Sequence, residues 1–396
     1  MNFKKYLVVL AVLVTIFALA GEVRAREVAD RGSEHKRVIA HTEEEVSKAV
    51  SSGCKVLRNA KILKALSCPS GVAESLSLSE DIRVFALDDE EVGRSRSHQV
   101  GATSASGNQQ IGANIVHVSG NTGSGRKVVV LDTGYNYLHP ELSSSYLGGK
   151  DFVNNDNDPM DDQGHGSHVA GIITADGIDP SALGVAPDAG VIAGKVLDNN
   201  GSGYFSDVVL AIYWAVNGPD DVYGTPDDFG ADAVSLSLGT GAPYTYRGFC
   251  DGVLPDLTNA IKYATQKNVT VVVAAGNSGS SGVSIPGCIS YSTTVGAVSS
   301  TDRVASFSGR GNALDISAPG VNIYSSILGS AYATWSGTSM ATPMITGVIA
   351  LVKNVHPAYT HSQVENKLFS TAKDLGRSGK DKYYGWGRVR ANLAVQ

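Results

Sequence analysis

The apolar positions fall into runs of different kinds along the chain. Tyr6 to Ala20 is uninterrupted and follows a short basic stretch, Met1 to Lys5. It is shorter than the roughly 20 residues an ordinary spanning helix needs. Ala18-Leu19-Ala20 and Val23-Arg24-Ala25 are small-residue cleavage sites. This layout predicts a secretory signal peptide over residues 1–25. Between 36 and 92 the runs are short. Arg37-Val38-Ile39-Ala40 predicts a strand, and Glu43 to Val50 a helix ended by Gly53. Lys55 to Leu66 predicts a strand or hairpin, Val72 to Leu78 a second helix, and Ile82 to Leu87 a strand that closes a compact α+β unit. Gly93 to Asn108 is rich in Ser, Gly and Arg, as an exposed, cleavable linker without helix would be.

Beyond the linker the apolar runs are continuous and β-branched. Arg126 to Leu131 is the pattern of a strand buried on both faces. Gly190 to Leu197, Ala233 to Leu238 and Val269 to Ala275 repeat it. Helical stretches alternate with them, over Asp207 to Val216 and within Leu254 to Lys267. Met344 to Val352 is apolar over helical length and stops at His356-Pro357. Alternating strands and helices predict an α/β domain with a mainly parallel sheet.

At 396 residues the chain holds a large domain and a small one. Its 42% hydrophobic and 18% charged residues are ordinary for a globular protein. The net charge of −6 suggests no nucleic-acid or membrane-surface partner. The 4 Cys are too few for a disulfide scaffold and lack metal-type CxxC spacing. Cys54 and Cys68 fall in the small domain, Cys250 and Cys288 in the large one, an even split that suggests one bridge in each. Export makes both disulfides and calcium admissible.

Three places carry chemistry. Arg126 to Leu131 delivers Asp132-Thr133-Gly134 to a strand's C-terminal end, where sites form in open α/β sheets. Asp-Thr-Gly is also the local pattern of an aspartic peptidase, but no second Asp-Thr-Gly or Asp-Ser-Gly occurs in the chain. Gly164-His165-Gly166-Ser167-His168 feeds a small-residue helix. Its histidine spacing hints at metal, yet there is no His-Glu-x-x-His. Ser336-Gly337-Thr338-Ser339 runs into the Met344 helix, so Ser339 sits near free backbone N–H groups and a positive dipole end. Pro343 is expected near the first turn, where its missing N–H costs little.

With Asp132, His165 and Ser339 in this order, the chain closely resembles the subtilisin-like serine peptidases over about residues 107–396. Val-Leu-Asp-Thr-Gly, His-Gly-Ser-His-Val-Ala-Gly and Gly-Thr-Ser-Met-Ala-Thr-Pro carry the likeness. Ser167 departs from the usual Thr, and Thr342 from the frequent Ser. The resemblance implies Ser339 as nucleophile, His165 as base, Asp132 as its orienter and Asn277 as oxyanion donor. His168 reads as a structural hydrogen-bonder. Gly201, Ser202, Gly203 and Tyr204 form one substrate-pairing edge, and Ser237, Leu238 and Gly239 the other. Ala275 and Gly276 join them, Gly276 letting substrate approach closely. Ser284-Ile285-Pro286-Gly287 near the pocket floor has no acid, which implies a neutral or apolar P1 preference.

The oxygen-rich stretch after Lys150 resembles a thermitase-type calcium loop, with Asp151, Asn154, Asp156 and Asp158 as ligands. Glu141 with the loop 176–182 loosely matches a second site. Asp220, Asp221, Asp227, Asp228 and Asp232 form a further acidic stretch whose spacing supports no site. The expected whole is a secreted, monomeric serine endopeptidase acting on proteins and peptides, without catalytic cofactor. It is made as a self-processing zymogen: signal peptide 1–25, propeptide 36–92, linker 93–107, peptidase domain 108–396. The fold expected is a three-layer subtilisin-like α/β domain behind a small ferredoxin-like prodomain that acts as intramolecular chaperone and inhibitor. An aspartic peptidase and an inert binding protein on the same scaffold are the rivals. No triad or oxyanion residue is missing, which counts against the second.

Overall fold

The structure, a computed structural model, describes residues 35–87 and 104–396. The expected signal peptide and most of the expected linker lie outside them. The chain divides into two compact units, Met1–Ile82 and Arg83–Gln396.

The small unit runs β1 (His35–Ala40), α1 (Glu43–Ser51), β2 (Lys55–Asn59), β3 (Lys64–Pro69), α2 (Ser70–Ser75) and β4 (Ser79–Glu80). Its sheet is antiparallel in the order β2-β3-β1-β4. Thr42 caps α1: its hydroxyl accepts the Glu45 N–H while the Glu45 carboxylate accepts the Thr42 N–H. α2 covers only part of the stretch expected to be helical, Val72 to Leu78, and starts earlier, at Ser70. Ser77, at φ +52°, is turned out of the helical region, so Leu78 cannot continue it. The core is small: Val38, Ala40, Ala49, Leu66 and Ala73 pack around the Cys54–Cys68 disulfide. The strand expected to close this unit does not join its sheet. Ser79 and Glu80 already take the edge of β1, pairing with Ile39 and Val38.

The large unit begins with that strand, β5 (Arg83–Ala86), followed by α3 (Ser104–Ile111) and α4 (Ala113–Val118). Helix α3 starts inside the stretch expected as linker. There follow β6 (Lys127–Asp132), β7 (Tyr146–Asp151), α5 (His165–Thr174), β8 (Gly190–Lys195), β9 (Ser202–Tyr204) and α6 (Phe205–Asn217). Next come β10 (Ala233–Leu236), β11 (Leu238–Gly239), β12 (Thr245–Tyr246), α7 (Pro255–Gln266), β13 (Thr270–Ala274), β14 (Val283–Ser284) and β15 (Thr293–Val298). The unit ends with β16 (Ile316–Pro319), β17 (Ile323–Ser326), β18 (Tyr332–Trp335), α8 (Thr338–Val355), α9 (His361–Ser370) and α10 (Ala391–Ala394).

The central sheet is parallel, in the order β16-β15-β13-β10-β6-β8-β7, and helices flank it. This is the α/β architecture the alternating pattern predicts. β6 is the first strand of the sheet in sequence; β7 and then β8 lie on one side of it, β8 inserted between them, and β10, β13, β15 and β16 are added outward on the other. The strand order therefore reverses between β6 and β10, and the crevice at their C-terminal ends is where such folds bind ligands. Val128 to Leu131 are buried, as a run apolar on both faces requires. Helix α8 packs on α5, β10, β13 and β15 and is buried from Thr338 to Lys353. Pro343 lies inside α8, beyond the first turn. Its missing N–H deprives the Ser339 carbonyl, four residues back, of a helical partner.

Candidate active site

Asp132 ends β6, and His165 opens α5. Asp132 Oδ1 accepts from His165 Nδ1 at 2.6 Å and from the Thr133 N–H at 2.7 Å. With Nδ1 as donor, Nε2 is the ring's basic nitrogen. Asp161 braces both partners. Its Oδ1 accepts from the Thr133 hydroxyl at 2.9 Å and from the N–H groups of Gln163 and Gly164. Its Oδ2 accepts from the N–H and hydroxyl of Ser167, in the first turn of α5. The Thr133 hydroxyl in turn accepts the Gly166 N–H at 2.8 Å. The strand end carrying the acid and the helix start carrying the histidine are thus tied by one buried carboxylate.

Ser339 is the second residue of α8. Its Oγ donates to the Ser237 carbonyl at 2.9 Å, and Ser237 Oγ donates back to the Ser339 carbonyl at 2.9 Å. The second bond satisfies the oxygen that Pro343 leaves without a helical donor. Asn277 follows the end of β13. Its Oδ1 accepts from both the N–H (3.0 Å) and the hydroxyl (2.9 Å) of Thr338, so its Nδ2 must face the other way. There it donates to the Leu87 carbonyl at 2.9 Å.

Leu87 follows β5, which lies antiparallel between β9 and β11. Val84 pairs with Gly203 and Phe85 with Ser202; on the other side Ala86 pairs with Leu238 and Phe85 with Gly239. The Ala86 N–H donates to the Gly201 carbonyl at 2.9 Å, the Leu87 N–H to the Ser237 carbonyl at 3.4 Å. Within the segment Val84 and Leu87 are buried, at 0% and 9% exposed, while Phe85 is 42% exposed. A Cβ at Gly239 would lie 3.0 Å from Leu87 Cδ1 and 3.1 Å from Ser284 Cβ, so this glycine leaves the space the leucine fills. At Gly276 the constraint is different. Its φ is +90°, and a Cβ would meet Ser284 Oγ at 2.0 Å, so packing on Ser284 demands the glycine. Ala275 is engaged alongside, its carbonyl accepting the Ser284 N–H.

The subtilase family model matches residues 123–387. This chain belongs to the subtilase family. Subtilisin E of Bacillus subtilis (strain 168) is 34% identical to it over 407 aligned residues, 99% of each chain. A thermophilic serine proteinase of Bacillus sp. (strain AK1) is 40% identical over 273, covering 69% of this chain and 62% of that one. Subtilisin BL of Lederbergia lenta is 40% identical over 290, covering 73% and 98%. The protein is a serine-type endopeptidase of the Ser-His-Asp kind, and the aspartic-peptidase alternative falls.

Around this subtilase site, His168 is buried and its pKa is pushed down to about 3, so the ring is neutral at ordinary pH. It bonds the Ala333 carbonyl at 3.1 Å and stacks on Trp335 with centroids 4.5 Å apart. The two departures from the family pattern keep their hydroxyls in use: Ser167 bonds Asp161, and Thr342 bonds the Thr338 carbonyl. Cys250 and Cys288 are bonded, beside the pairing of β12 with β14.

Among the described residues, no three His, Cys, Asp or Glu side chains gather as a metal cage. Asp151 accepts from the N–H groups of Val153 and Asn154 and from the Asn154 side chain. Asp156 Oδ1 accepts the Asp158 N–H, and Asp158 Oδ1 accepts from Tyr137 and the Met160 N–H. The Glu141 carboxylate accepts from the N–H groups of Gly177, Ile178 and Asp179 and from Tyr332.

Sequence reasoning gave no role to Asp161, Thr338 or Lys195, nor to the Ser237 side chain. One signal was present: Lys195 closes an otherwise apolar strand, Gly-Val-Ile-Ala-Gly-Lys.

Proposed function

We propose that this endopeptidase is secreted as a zymogen that cuts itself between Leu87 and Asp88 and then prefers an apolar P1 residue. Ser339 is its nucleophile, His165 its base, Asp132 the orienter of the imidazole and Asn277 the oxyanion donor. The observation that carries the reading is the bond from Asn277 Nδ2 to the Leu87 carbonyl, with β5 laid between the two substrate-pairing edges. A carbonyl on that amide is the bond such a site polarises.

The steps follow from the geometry. The Ser339 hydroxyl leaves the Ser237 carbonyl, gives its proton to His165 and attacks the Leu87 carbonyl carbon. Asn277 stabilises the developing oxyanion, and Asp132 stabilises the imidazolium. His165 then protonates the departing amine of Asp88, and water releases the acyl group by the same route. Gly201, Ser202, Gly203 and Tyr204 with Ser237, Leu238 and Gly239 hold the substrate strand, and Ala275 and Gly276 support the pocket wall. The small unit, with its β-α-β-β-α-β order, is the prodomain, a chaperone and inhibitor, and β5 follows it in the chain. This reading moves the cut from the Ser/Gly-rich linker to the residue that already meets Asn277. Calcium at Asp151, Asn154, Asp156 and Asp158 is part of the proposal, supported by the oxygen donor chemistry, and would serve stability only. Among the described residues no helix is long and apolar enough to cross a membrane.

The test is the C-terminus of the released N-terminal fragment, read by mass. Wild type should release a fragment ending at Leu87, while Ser339→Ala and His165→Ala should accumulate uncut. A fragment ending elsewhere overturns the Leu87 site, and a processed Ser339→Ala purified from a peptidase-free host overturns self-processing. Substantial peptide hydrolysis by Ser339→Ala sinks the nucleophile.

A further inference from the structure

Lys195 ends β8 and is the register partner of Asp132. It is only 2% exposed. Its ammonium makes bonds to the carbonyl of Thr133 at 2.6 Å, the carbonyl of Leu197 at 2.9 Å and Asp162 Oδ1 at 2.6 Å. An ammonium has three N–H donors, so all are used. The Asp162 side chain is 50% exposed, so the ion pair runs from beneath the catalytic turn to solvent. Burying a cation this way is costly, and an apolar residue could fill a strand end at less expense. The cost must therefore be weighed against what the ammonium holds.

It holds the peptide that follows Asp132. The N–H groups of Val196 and Leu197 donate to the Asp132 carbonyl at 2.9 and 3.1 Å. Lys195 Nζ takes the next carbonyl along, that of Thr133. Successive carbonyls of the turn are thereby pinned to one short stretch, 195–197, and the direction in which Asp132 aims at His165 is pinned with them. We propose that Lys195 and Asp162 form a positioning pair for Asp132 and His165: Lys195 locks the turn, and Asp162 cancels the ammonium charge that the imidazole would otherwise feel. This rests on the reading of His165 as base.

The titratable groups around the imidazole come from four elements. They are Asp132 on β6, Asp161 and Asp162 on the loop before α5, and Lys195 on β8; His168 on α5 is kept neutral by burial. With Lys195 and Asp162 both present, their opposite charges largely offset. Asp162→Asn leaves the ammonium alone, which disfavours the imidazolium. Lys195→Met leaves the carboxylate alone, which favours it. The acid limb of kcat/KM reports that equilibrium in the free enzyme.

The experiment is the pH profile of kcat/KM for matured wild type, Asp162→Asn, Lys195→Met and Lys195→Arg, at low and high salt. The substrate is a peptide anilide ending in Val-Phe-Ala-Leu. Asp162→Asn should move the acid limb to lower pH, and Lys195→Met should move it to higher pH. Shifts of about 0.3–1 unit are expected, shrinking in 1 M salt. Lys195→Met should also lose at least about tenfold in kcat with KM little changed, and Lys195→Arg should recover the wild-type limb. A scaffold role alone would move neither limb. Shifts of the same sign, or no shift in Asp162→Asn, overturn the pair. Asp162 is half-exposed, so its variant decides the matter even if Lys195→Met does not fold. If His165→Ala retains the wild-type acid limb, the base assignment fails instead, which separates the two readings.

Discussion

Substituting Ser237 tests how the nucleophile is held. Pro343 has no N–H to give the Ser339 carbonyl, and Ser237 Oγ supplies that bond at 2.9 Å. Ser237→Ala leaves a fully buried carbonyl unsatisfied, at a cost of about 1–3 kcal/mol. Pro343→Ala restores a helical N–H four residues after Ser339. In that background the same Ser237→Ala change should cost only a few tenths of a kcal/mol, because the helix now satisfies the oxygen. The expected coupling is therefore about 1 kcal/mol or more, in the range seen for residues that share a partner. The assay is a double-mutant cycle of thermal midpoints, all four proteins carrying Ser339→Ala to prevent self-digestion. That substitution keeps the carbonyl in question and removes only the hydroxyl. At about 2 °C per kcal/mol for a chain this large, Ser237→Ala should lower the midpoint by several degrees with Pro343 in place, and by a degree or less in the Pro343→Ala background. Additivity within about 0.3–0.5 kcal/mol would refute the substitution of one donor for the other.

Gly239→Val should fill the space beside Leu87 Cδ1 and lower kcat/KM for P1 leucine by about 10- to 100-fold, the value of burying one such side chain, while sparing P1 alanine. Equal losses for both substrates would move the pocket elsewhere. Glu365 on α9 is partly buried beside Thr293 and His361, and desolvation pushes its pKa up to about 7. A carboxyl raised in the folded state stabilises at low pH and loses that contribution as pH rises through about 7. Glu365→Gln in the Ser339→Ala chain should therefore raise the thermal midpoint at pH 8 and change it little at pH 5; a gain independent of pH contradicts this. If Asp151, Asn154, Asp156 and Asp158 hold calcium, excess EDTA should lower the midpoint by the linkage amount, about 2.7 kcal/mol relative to calcium at 100 times its Kd. Asp156→Ala should blunt that shift, and a midpoint indifferent to EDTA rules out a stabilising site.

What the sequence determined by itself is local and periodic. The β-branched run before Asp132 has the pattern of a strand buried on both faces, and such a strand presents its last residue at the sheet's C-terminal edge. The apolar run after Ser339 has helical length and stops at His356-Pro357, which puts Ser339 at or just before the start of a helix. Chain order and short motifs then named the family, because each motif carries its own turn and its own chemistry. Tertiary structure decided what depends on competition between distant partners. Ile82 to Leu87 has the pattern of a strand, but the pattern cannot choose its neighbour. Ser79 and Glu80 occupy the edge of β1, whereas β9 and β11 offer facing backbone edges with space for Leu87 beside Gly239. The segment pairs there because unpaired strand groups seek whichever edge is open. The same holds for the groups that steady the site. Ser237 and Ser339 are 102 residues apart, Lys195 and Thr133 62. No periodicity links such pairs; only the fold brings a hydroxyl to the carbonyl that Pro343 leaves without a helical partner, or an ammonium to the turn that aims Asp132.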